Sequence, residues 1–106
     1  MISFEEFKRL EIKVAQIKEV QEHPNADKLY VITIDLGDKT KQIVAGIRSY
    51  YTKEELIGKH IVVVDNLEPA SLRGVESQGM LLACQDEQGI TIISPERKVK
   101  LGSIVK

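Results

Sequence analysis

An alternation of apolar and other side chains over residues 29–36 constrains the fold of this chain most strongly. Such period-two spacing is typical of a β-strand with one buried face. Gly37 and Asp38 follow it, and a glycine at the first central position is what a type II′ hairpin turn requires. Residues 39–45 then form the antiparallel partner strand. The sequence therefore predicts a β-hairpin at residues 29–45.

Three further segments are predicted as barrel strands. Residues 10–20 carry four β-branched side chains, which favour a strand with a bulge or bend near Ala15. The same segment also fits a helical stripe of Leu10, Val14 and Ile17, which is the alternative interpretation. Residues 61–64 and residues 80–84 are short apolar runs and are predicted as the fourth and fifth strands.

Two capping boxes predict short helices. Ser3 and Glu6 have this spacing at the start of residues 3–9, and Thr52 and Glu55 have it within residues 50–58. Residues 21–28 and residues 67–79 are predicted as loops. Beyond the fifth strand, the sequence predicts a turn at residues 88–89, a strand at 90–93 and a last strand at 99–105.

The order of these elements is typical of an OB-fold, the five-stranded Greek-key barrel. The predicted fold class is all-β, with one short helix between strands 3 and 4, an N-terminal helix and a C-terminal strand extension. We expect a single domain at residues 1–106, with its barrel at about 10–85. OB barrels bind oligonucleotides or oligosaccharides on strands 2 and 3, between the loops that are here residues 21–28 and 67–79.

Charge and composition limit the possible functions. The 106 residues contain 15 Lys and Arg against 16 Asp and Glu, a net charge of −1, so any nucleic-acid site must depend on local clustering. One cysteine excludes an internal disulfide. The longest apolar run has five residues, far below the roughly 20 that span a bilayer. The N-terminus is acidic rather than basic, so a cytoplasmic location without membrane attachment is expected.

The sequence offers little basis for catalysis. His23 and His60 are isolated from other metal ligands and are expected to be structural or surface residues. Cys84 is expected to be a small core residue rather than a nucleophile. No Gly-rich phosphate loop is present. We therefore expect no enzyme activity, no metal site and no cofactor.

A basic rim is the best candidate for a binding site. The predicted topology brings five cations to one rim of the barrel, where they would contact phosphates: Lys28, Lys39, Lys41, Arg48 and Arg73. The alternative is that they are ordinary solvated side chains. Nearby acids, among them Asp27 and Glu76, dilute the charge.

The long loop adds Ser77, Gln78 and Met80. The first two are short-reach hydrogen-bonding groups, whereas composition alone favours a core position for Met80. Aromatic residues are only 5% of the chain, which argues against base stacking and for recognition of a folded, phosphate-rich shape.

Two segments carry a family resemblance: HPNADKLY at residues 23–30 and LRGVESQGM at residues 72–80. They resemble the signatures of the tRNA-binding domain family, which includes the C-terminal domain of many bacterial methionyl-tRNA synthetases and stand-alone tRNA-binding proteins. Residues 43–47 and 50–58 are similar to it as well. The resemblance extends from about residue 7 to residue 106.

The resemblance implies an OB-fold that binds tRNA by shape and backbone, without sequence preference. It implies tRNA contact by Ser77 and Met80 and matches family cations at Lys28, Arg48 and Arg73. It also implies a homodimer, for which residues 1–9 and 86–106 are the expected dimerisation elements. The expected site is Lys28, Lys41, Arg48, Arg73, Ser77, Gln78 and Met80. The alternatives are a subunit that raises the tRNA affinity of a methionyl-tRNA synthetase, and a polypeptide-binding chaperone of the same fold.

Overall fold

A computed structural model describes all 106 residues. Two short helices are present, α1 (Phe4–Lys8) and α2 (Lys53–Leu56). The strands in chain order are β1 (Ile12–Glu22), β2 (Tyr30–Asp35), β3 (Thr40–Ala45), β4 (His60–Val64), β5 (Ala70–Leu72), β6 (Val75–Ser77), β7 (Met80–Leu81), β8 (Ala83–Asp86) and β9 (Gly89–Ile92). No helix has the length and apolar character needed to cross a membrane.

Five antiparallel strands form a nearly closed barrel, in the order β3-β2-β1-β4-β7. The predicted all-β, OB-like fold is therefore confirmed, and α2 lies between β3 and β4 as expected. The hairpin of β2 and β3 has the predicted two-residue turn, with positive φ at Gly37 and not at Asp38. This is the pattern of a type II′ turn.

Strand β1 is the long, bent strand that the sequence predicts. Its first half pairs with β4 and its second half with β2, so the helical alternative for residues 10–20 is wrong. The register shift lies between Ile17 and Glu19, later than the predicted position near Ala15. The extra residue, Lys18, faces solvent, whereas Ala15 is fully buried inside the barrel.

The barrel interior is a single apolar cluster, in which Ile17, Ile32, Ile43 and Ile61 are fully buried. Burying one such side chain stabilises the fold by about 1.5–3 kcal/mol. A second, smaller cluster lies on the outer face of β1 and β4. There Ile12, Val62 and Val64 are covered by Phe7, Leu82 and Val105.

Both helices begin at the predicted capping boxes. The Ser3 hydroxyl accepts from the amide of Glu6, and the Glu6 carboxylate accepts from the amide of Ser3. Thr52 and Glu55 make the same reciprocal pair in α2. The backbone hydrogen bond to Thr52 lowers the pKa of Glu55.

The region after β4 differs most from the sequence-based prediction. Residues 67–79 were expected to be a loop, but β5 and β6 form a hairpin there. Its turn is Arg73-Gly74, and both residues have positive φ, as a type I′ turn requires. The sequence does not predict this turn, because its first central residue is Arg where Asn or Asp is usual.

The predicted fifth strand at residues 80–84 is also divided. The chain leaves the barrel at Leu82, so β7 and β8 belong to different sheets. Cys84 is exposed on β8, and the expectation that it packs in the core is wrong.

The C-terminal elements differ in detail. The β8–β9 turn falls at Glu87 and Gln88, one residue earlier than predicted. The predicted last strand at residues 99–105 is reduced to a single bridge between Lys13 and Ile104.

The Gly37 turn packs directly against the C-terminal segment. A Cβ atom at Gly37 would lie 2.7 Å from the carbonyl oxygen of Leu101, whereas a Cβ atom at Gly74 meets nothing within 4 Å. Both glycines have similar positive φ values, 94° and 89°. We expect Gly74→Ala to cost about 1 kcal/mol of unfolding free energy, from backbone strain alone. Gly37→Ala should cost about 3 kcal/mol because it adds a steric clash. Urea unfolding of the two variants checks this, and equal losses would contradict it.

Candidate functional site

The hairpin of β5 and β6 lies along strand β3. The hydroxyl of Ser77 accepts a hydrogen bond from the amide of Val44 (2.9 Å) and donates to the carbonyl of Gly79 (3.0 Å). The amide of Gln78 donates to the carbonyl of Gln42, and the side-chain oxygen of Gln78 accepts from the amide of Gln42. These bonds attach the base of the hairpin to β3 and close the barrel at this edge.

Residues 23–29 form the loop between β1 and β2, at the end of β3 where Ala45 lies. Arg48 holds this loop: its guanidinium donates to the carbonyl of Ala26 (3.3 Å) and pairs with the Glu22 carboxylate (3.2 Å). The backbone amide of Arg48 donates to the carbonyl of Lys28. Arg48 is half-buried as a result, and its side chain is 25% exposed.

The tip of the hairpin meets the same loop. The Arg73 guanidinium donates to the carbonyl of Asn25 (3.1 Å) and is otherwise exposed. Loop and tip enclose a depression of about 390 Å³, lined by Asn25, Ala26, Asp27, Lys28, Leu29 and Arg73. Lys28 forms no ion pair and is exposed. The structure therefore brings together three of the predicted cations: Lys28, Arg48 and Arg73.

Lys41 lies elsewhere, toward the opposite end of β3, about 13 Å along the strand from Ala45. Its ammonium contacts the Asp65 carboxylate (2.7 Å), the Asp65 carbonyl (2.7 Å) and the Gln78 carbonyl (3.4 Å). The two carbonyl oxygens each accept one of its protons, and the carboxylate pairs with its charge. The five cations expected on one rim are thus divided between two ends of the barrel.

Asp65 is the centre of an ion cluster at that second end. Its side chain is 2% exposed, and Lys13 (2.9 Å) and Lys39 (3.1 Å) contact it together with Lys41. Burial raises the pKa of Asp65, but hydrogen bonds from Lys41, Lys13 and Lys39 outweigh it and hold this pKa well below the ordinary range. The hydrogen bond to Asp65 in turn raises the pKa of Lys13.

Sequence reasoning missed the roles of Lys13 and Asp65. A signal was present, because Asp65 continues the inward alternation of Ile61 and Val63, and Lys41 continues that of Ile43 and Ala45. Charges of opposite sign in the core phase of two barrel strands indicate an ion cluster that caps the barrel.

The remaining predicted residues differ in accessibility. Ser77 is 5% exposed, and its hydroxyl is occupied within the protein. Gln78 is half-buried. Met80 is 50% exposed on β7, so the composition-based expectation of a core position is wrong, and its side chain is open to a partner.

The histidines behave as expected from their isolation. His23 is buried and hydrogen-bonded to backbone groups on both sides of its ring. His60 is half-buried at the start of β4. No group of three potential metal ligands is present.

The barrel and its loops define the class of OB-like binding domains. A family model described as "Putative tRNA binding domain" matches residues 12–104. The chain belongs to this tRNA-binding domain family.

Relatives at high identity are archaeal methionine–tRNA ligases. The chain is 51% identical over 105 residues to that of Thermococcus kodakarensis, and 50% identical over 105 residues to that of Methanococcus aeolicus. Both matches cover 99% of this chain, but only 14% and 16% of the relatives. The chain thus corresponds to a small, appended part of these enzymes and resembles the C-terminal domain of methionyl-tRNA synthetase.

Two solved structures are similar over all of this chain. A MetRS-related protein from Pyrococcus horikoshii superposes with a TM-score of 0.93 at 34% identity, with 98% of that chain covered. A CsaA chaperone protein from Picrophilus torridus also gives 0.93, at 30% identity and 100% coverage.

The Asp65 cluster predicts a pH-dependent contribution to stability. Asp65→Asn should lower the unfolding free energy near pH 7 by about 3 kcal/mol, because it leaves three partly exposed ammonium groups without their carboxylate. The native pKa of Asp65 is depressed, so its contribution is complete above the ordinary carboxyl pKa of about 4 and diminishes as the pH falls further.

Urea unfolding near pH 7 and near pH 3 measures this contribution. The control is Glu11→Gln, since Glu11 is exposed and lies 3.7 Å from Lys13, where an ion pair contributes at most about 1 kcal/mol. Equal effects of the two substitutions near pH 7 would contradict the prediction.

Proposed function

We propose that this protein binds tRNA without catalysis and without sequence preference, through shape and backbone contacts. The observation that carries the proposal is the meeting of Lys28 and Arg73 at one depression, in a chain of the tRNA-binding domain family. Lys28, Arg48 and Arg73 contact phosphates. Arg73 can do so with two parallel hydrogen bonds, whereas Arg48 also pairs with Glu22 and contributes mainly its charge.

Met80 extends this contact surface toward the barrel, and Gln78 adds the one proton of its side-chain amide that is not already bonded within the protein. The half-exposed Met80 side chain offers an adaptable apolar contact to a ribose or an unstacked base. Ser77 and Lys41 were expected to contact tRNA, and their hydrogen-bonding groups are occupied within the protein. In this proposal Ser77 and Lys41 support the surface by fixing residues 77–80 against β3.

Sequence independence follows from what the surface lacks. The hydroxyl of Tyr30 donates to the carbonyl of Tyr51, and the hydroxyl of Tyr51 accepts from the amide of Ile92. Two of the three tyrosines are thereby committed to packing. The third, Tyr50, is exposed beside Arg48, but no aromatic side chain lines the depression of Lys28 and Arg73. Contacts to phosphates carry no sequence information, so the shape of a folded RNA is what remains to be recognised. As tRNA functions in translation, this activity belongs in the cytoplasm.

The homodimer is part of the proposal. Helix α1 and the C-terminal segment cover the outer face of β1 and β4, and both leave large apolar side chains in solvent: Ile2, Phe4, Leu10 and Ile104. Exposed apolar side chains grouped on terminal elements favour association with a second copy. The two tRNA surfaces of a dimer would act together on one folded RNA.

A synthetase-associated role is the first alternative. It is favoured by the identity to methionine–tRNA ligases, in which this domain is a minor part of a longer chain. Under this alternative the protein raises the tRNA affinity of a methionyl-tRNA synthetase. Co-purification with a synthetase, lost when residues 86–106 are deleted, would favour it.

A chaperone role is the second alternative and is supported by the similarity to a CsaA chaperone protein. It predicts that the protein suppresses the aggregation of an unfolded client. It also predicts that added tRNA does not reduce this suppression, which separates it from the tRNA proposal.

Charge reversal at Arg73 should weaken tRNA binding. We expect Arg73→Glu to lower the affinity for all tRNAs alike by about tenfold or more, since it replaces a phosphate contact with repulsion. Fluorescence anisotropy with several purified tRNAs measures the effect, with duplex DNA as a competitor.

The matched control is Arg97→Glu, because Arg97 is exposed in a separate depression beside Lys59 and His60. Both variants change the net charge equally. If Arg97→Glu weakened binding as much, the effect would be one of overall charge and the assignment of Arg73 would be refuted.

The dimer proposal predicts that Phe4→Glu gives a monomer. Phe4 is 71% exposed on α1, and a carboxylate there would be desolvated in an apolar interface. Sedimentation equilibrium of the wild type and the variant measures this. Ile57→Glu is the control, since Ile57 is 54% exposed beside α2, and it should leave the association state unchanged. A monomeric wild type at micromolar concentration would exclude the dimer.

A further inference from the structure

His23 connects the two loops that bear the proposed phosphate contacts. His23 is 4% exposed and begins the loop of residues 23–29, where its side chain faces the hairpin of β5 and β6. The Nε2 atom lies 2.8 Å from the carbonyl oxygen of Leu72 at the hairpin tip. The Nδ1 atom lies 2.9 Å from the backbone nitrogen of Asn25.

These partners determine the state of the ring. A carbonyl oxygen can only accept, so Nε2 must carry a proton and donate it to Leu72. A backbone amide can only donate, so Nδ1 must accept from Asn25 and carries no proton. The imidazole of His23 is therefore neutral, with its proton on Nε2, and both nitrogens are used.

The hairpin has few other attachments near its tip. Its base is fixed to β3 through the carbonyl of Glu76 and the hydroxyl of Ser77. Side-chain hydrogen bonds attach the tip at two points, from His23 to Leu72 and from Arg73 to Asn25. Both attachments depend on Asn25, because Asn25 donates to His23 through its amide and accepts from Arg73 through its carbonyl.

We propose that His23 is a positioning residue for RNA binding: its neutral imidazole holds the hairpin tip against residues 23–29 and thereby sets Arg73 beside Lys28. This inference rests on the proposed function and assigns His23 no contact with RNA, since its ring is buried. Without the bridge, the tip is held by the Arg73 side chain alone. Arg73 would then have to hold the tip and contact phosphate at once.

Two near-isosteric substitutions separate the two halves of the bridge. In His23→Gln the side-chain amide can occupy the position of Nε2 and donate to Leu72. In His23→Asn the side-chain oxygen can occupy the position of Nδ1 and accept from Asn25, but nothing reaches Leu72. Each variant keeps one native hydrogen bond. His23→Gln keeps the bond to Leu72 in the hairpin, whereas His23→Asn keeps only the bond to Asn25 within the loop.

The experiment measures tRNA affinity over a salt series of about 50–200 mM for the wild type, both His23 variants, Arg73→Ala and the double variant His23→Asn/Arg73→Ala. We expect His23→Gln to bind within about threefold of the wild type. We expect His23→Asn to bind about tenfold more weakly, with a log–log salt slope smaller by about 0.7–0.9, the value for one lost phosphate contact. The double variant should be no weaker than Arg73→Ala, since His23 acts through Arg73.

Hydrogen exchange of the free proteins supplies a readout that needs no RNA. His23→Asn should increase exchange in residues 70–77, and His23→Gln should not. A His23→Asn variant with unchanged hairpin exchange and an unchanged salt slope would overturn the inference, as would effects of His23→Asn and Arg73→Ala that multiply. If the wild type fails to bind tRNA, the proposed function fails, whereas the exchange data still decide whether His23 holds the hairpin.

Discussion

The architecture depends on the way strand β1 divides its hydrogen bonds. Residues Ile12 to Gln16 pair with β4, and residues Gln16 to Glu22 pair with β2. The pairing with β4 is thus staggered along β1 relative to the pairing with β2, and the register shift between Ile17 and Glu19 bends the strand, so that the sheet curls into a barrel. Loop 23–29 then lies at the Ala45 end of β3, where the tip of the β5–β6 hairpin meets it. The candidate site is a consequence of this curl.

The hydrogen bonds that a polar side chain already makes within the protein separate residues that support the proposed RNA surface from residues that are free to contact RNA. Lys41 and Ser77 have chemically suitable groups for RNA, but these groups are already engaged within the protein. Lys28 has no ion pair, and Arg73 uses one of its five donors on Asn25. Motif matching treats all four residues alike, whereas a count of donors and acceptors assigns the first two to the scaffold and the last two to the surface.

The parts of the fold that were predictable from sequence depend on local signals. Alternation and a glycine turn specify the β2–β3 hairpin, and reciprocal capping boxes specify where α1 and α2 begin. The β5–β6 hairpin was not predictable in the same way, because its strands have three residues each and its turn begins with Arg73. Cys84 was misplaced because the apolar run at residues 80–84 crosses from the barrel to a separate, exposed hairpin at Leu82. That Lys28, Arg48 and Arg73 lie near one another could be predicted only with the strand topology. That Lys41 lies apart from them could be seen only from its contacts with Asp65.

The ion cluster also bears on how a chain of net charge −1 would bind RNA in the proposed way. Three lysines, Lys13, Lys39 and Lys41, are drawn to Asp65 at one end of the barrel. They neutralise a buried carboxylate there instead of spreading a positive potential over the surface. The cations left at the other end are few, so non-specific attraction to any polyanion is weak, and binding must depend on their exact placement.

A few well-placed contacts per copy give modest affinity. Joining two copies makes the second contact intramolecular, at an effective concentration of about millimolar for short connections. A dimer with rigidly positioned loops would therefore favour a folded RNA large enough to reach both surfaces over a short or flexible strand that reaches only one.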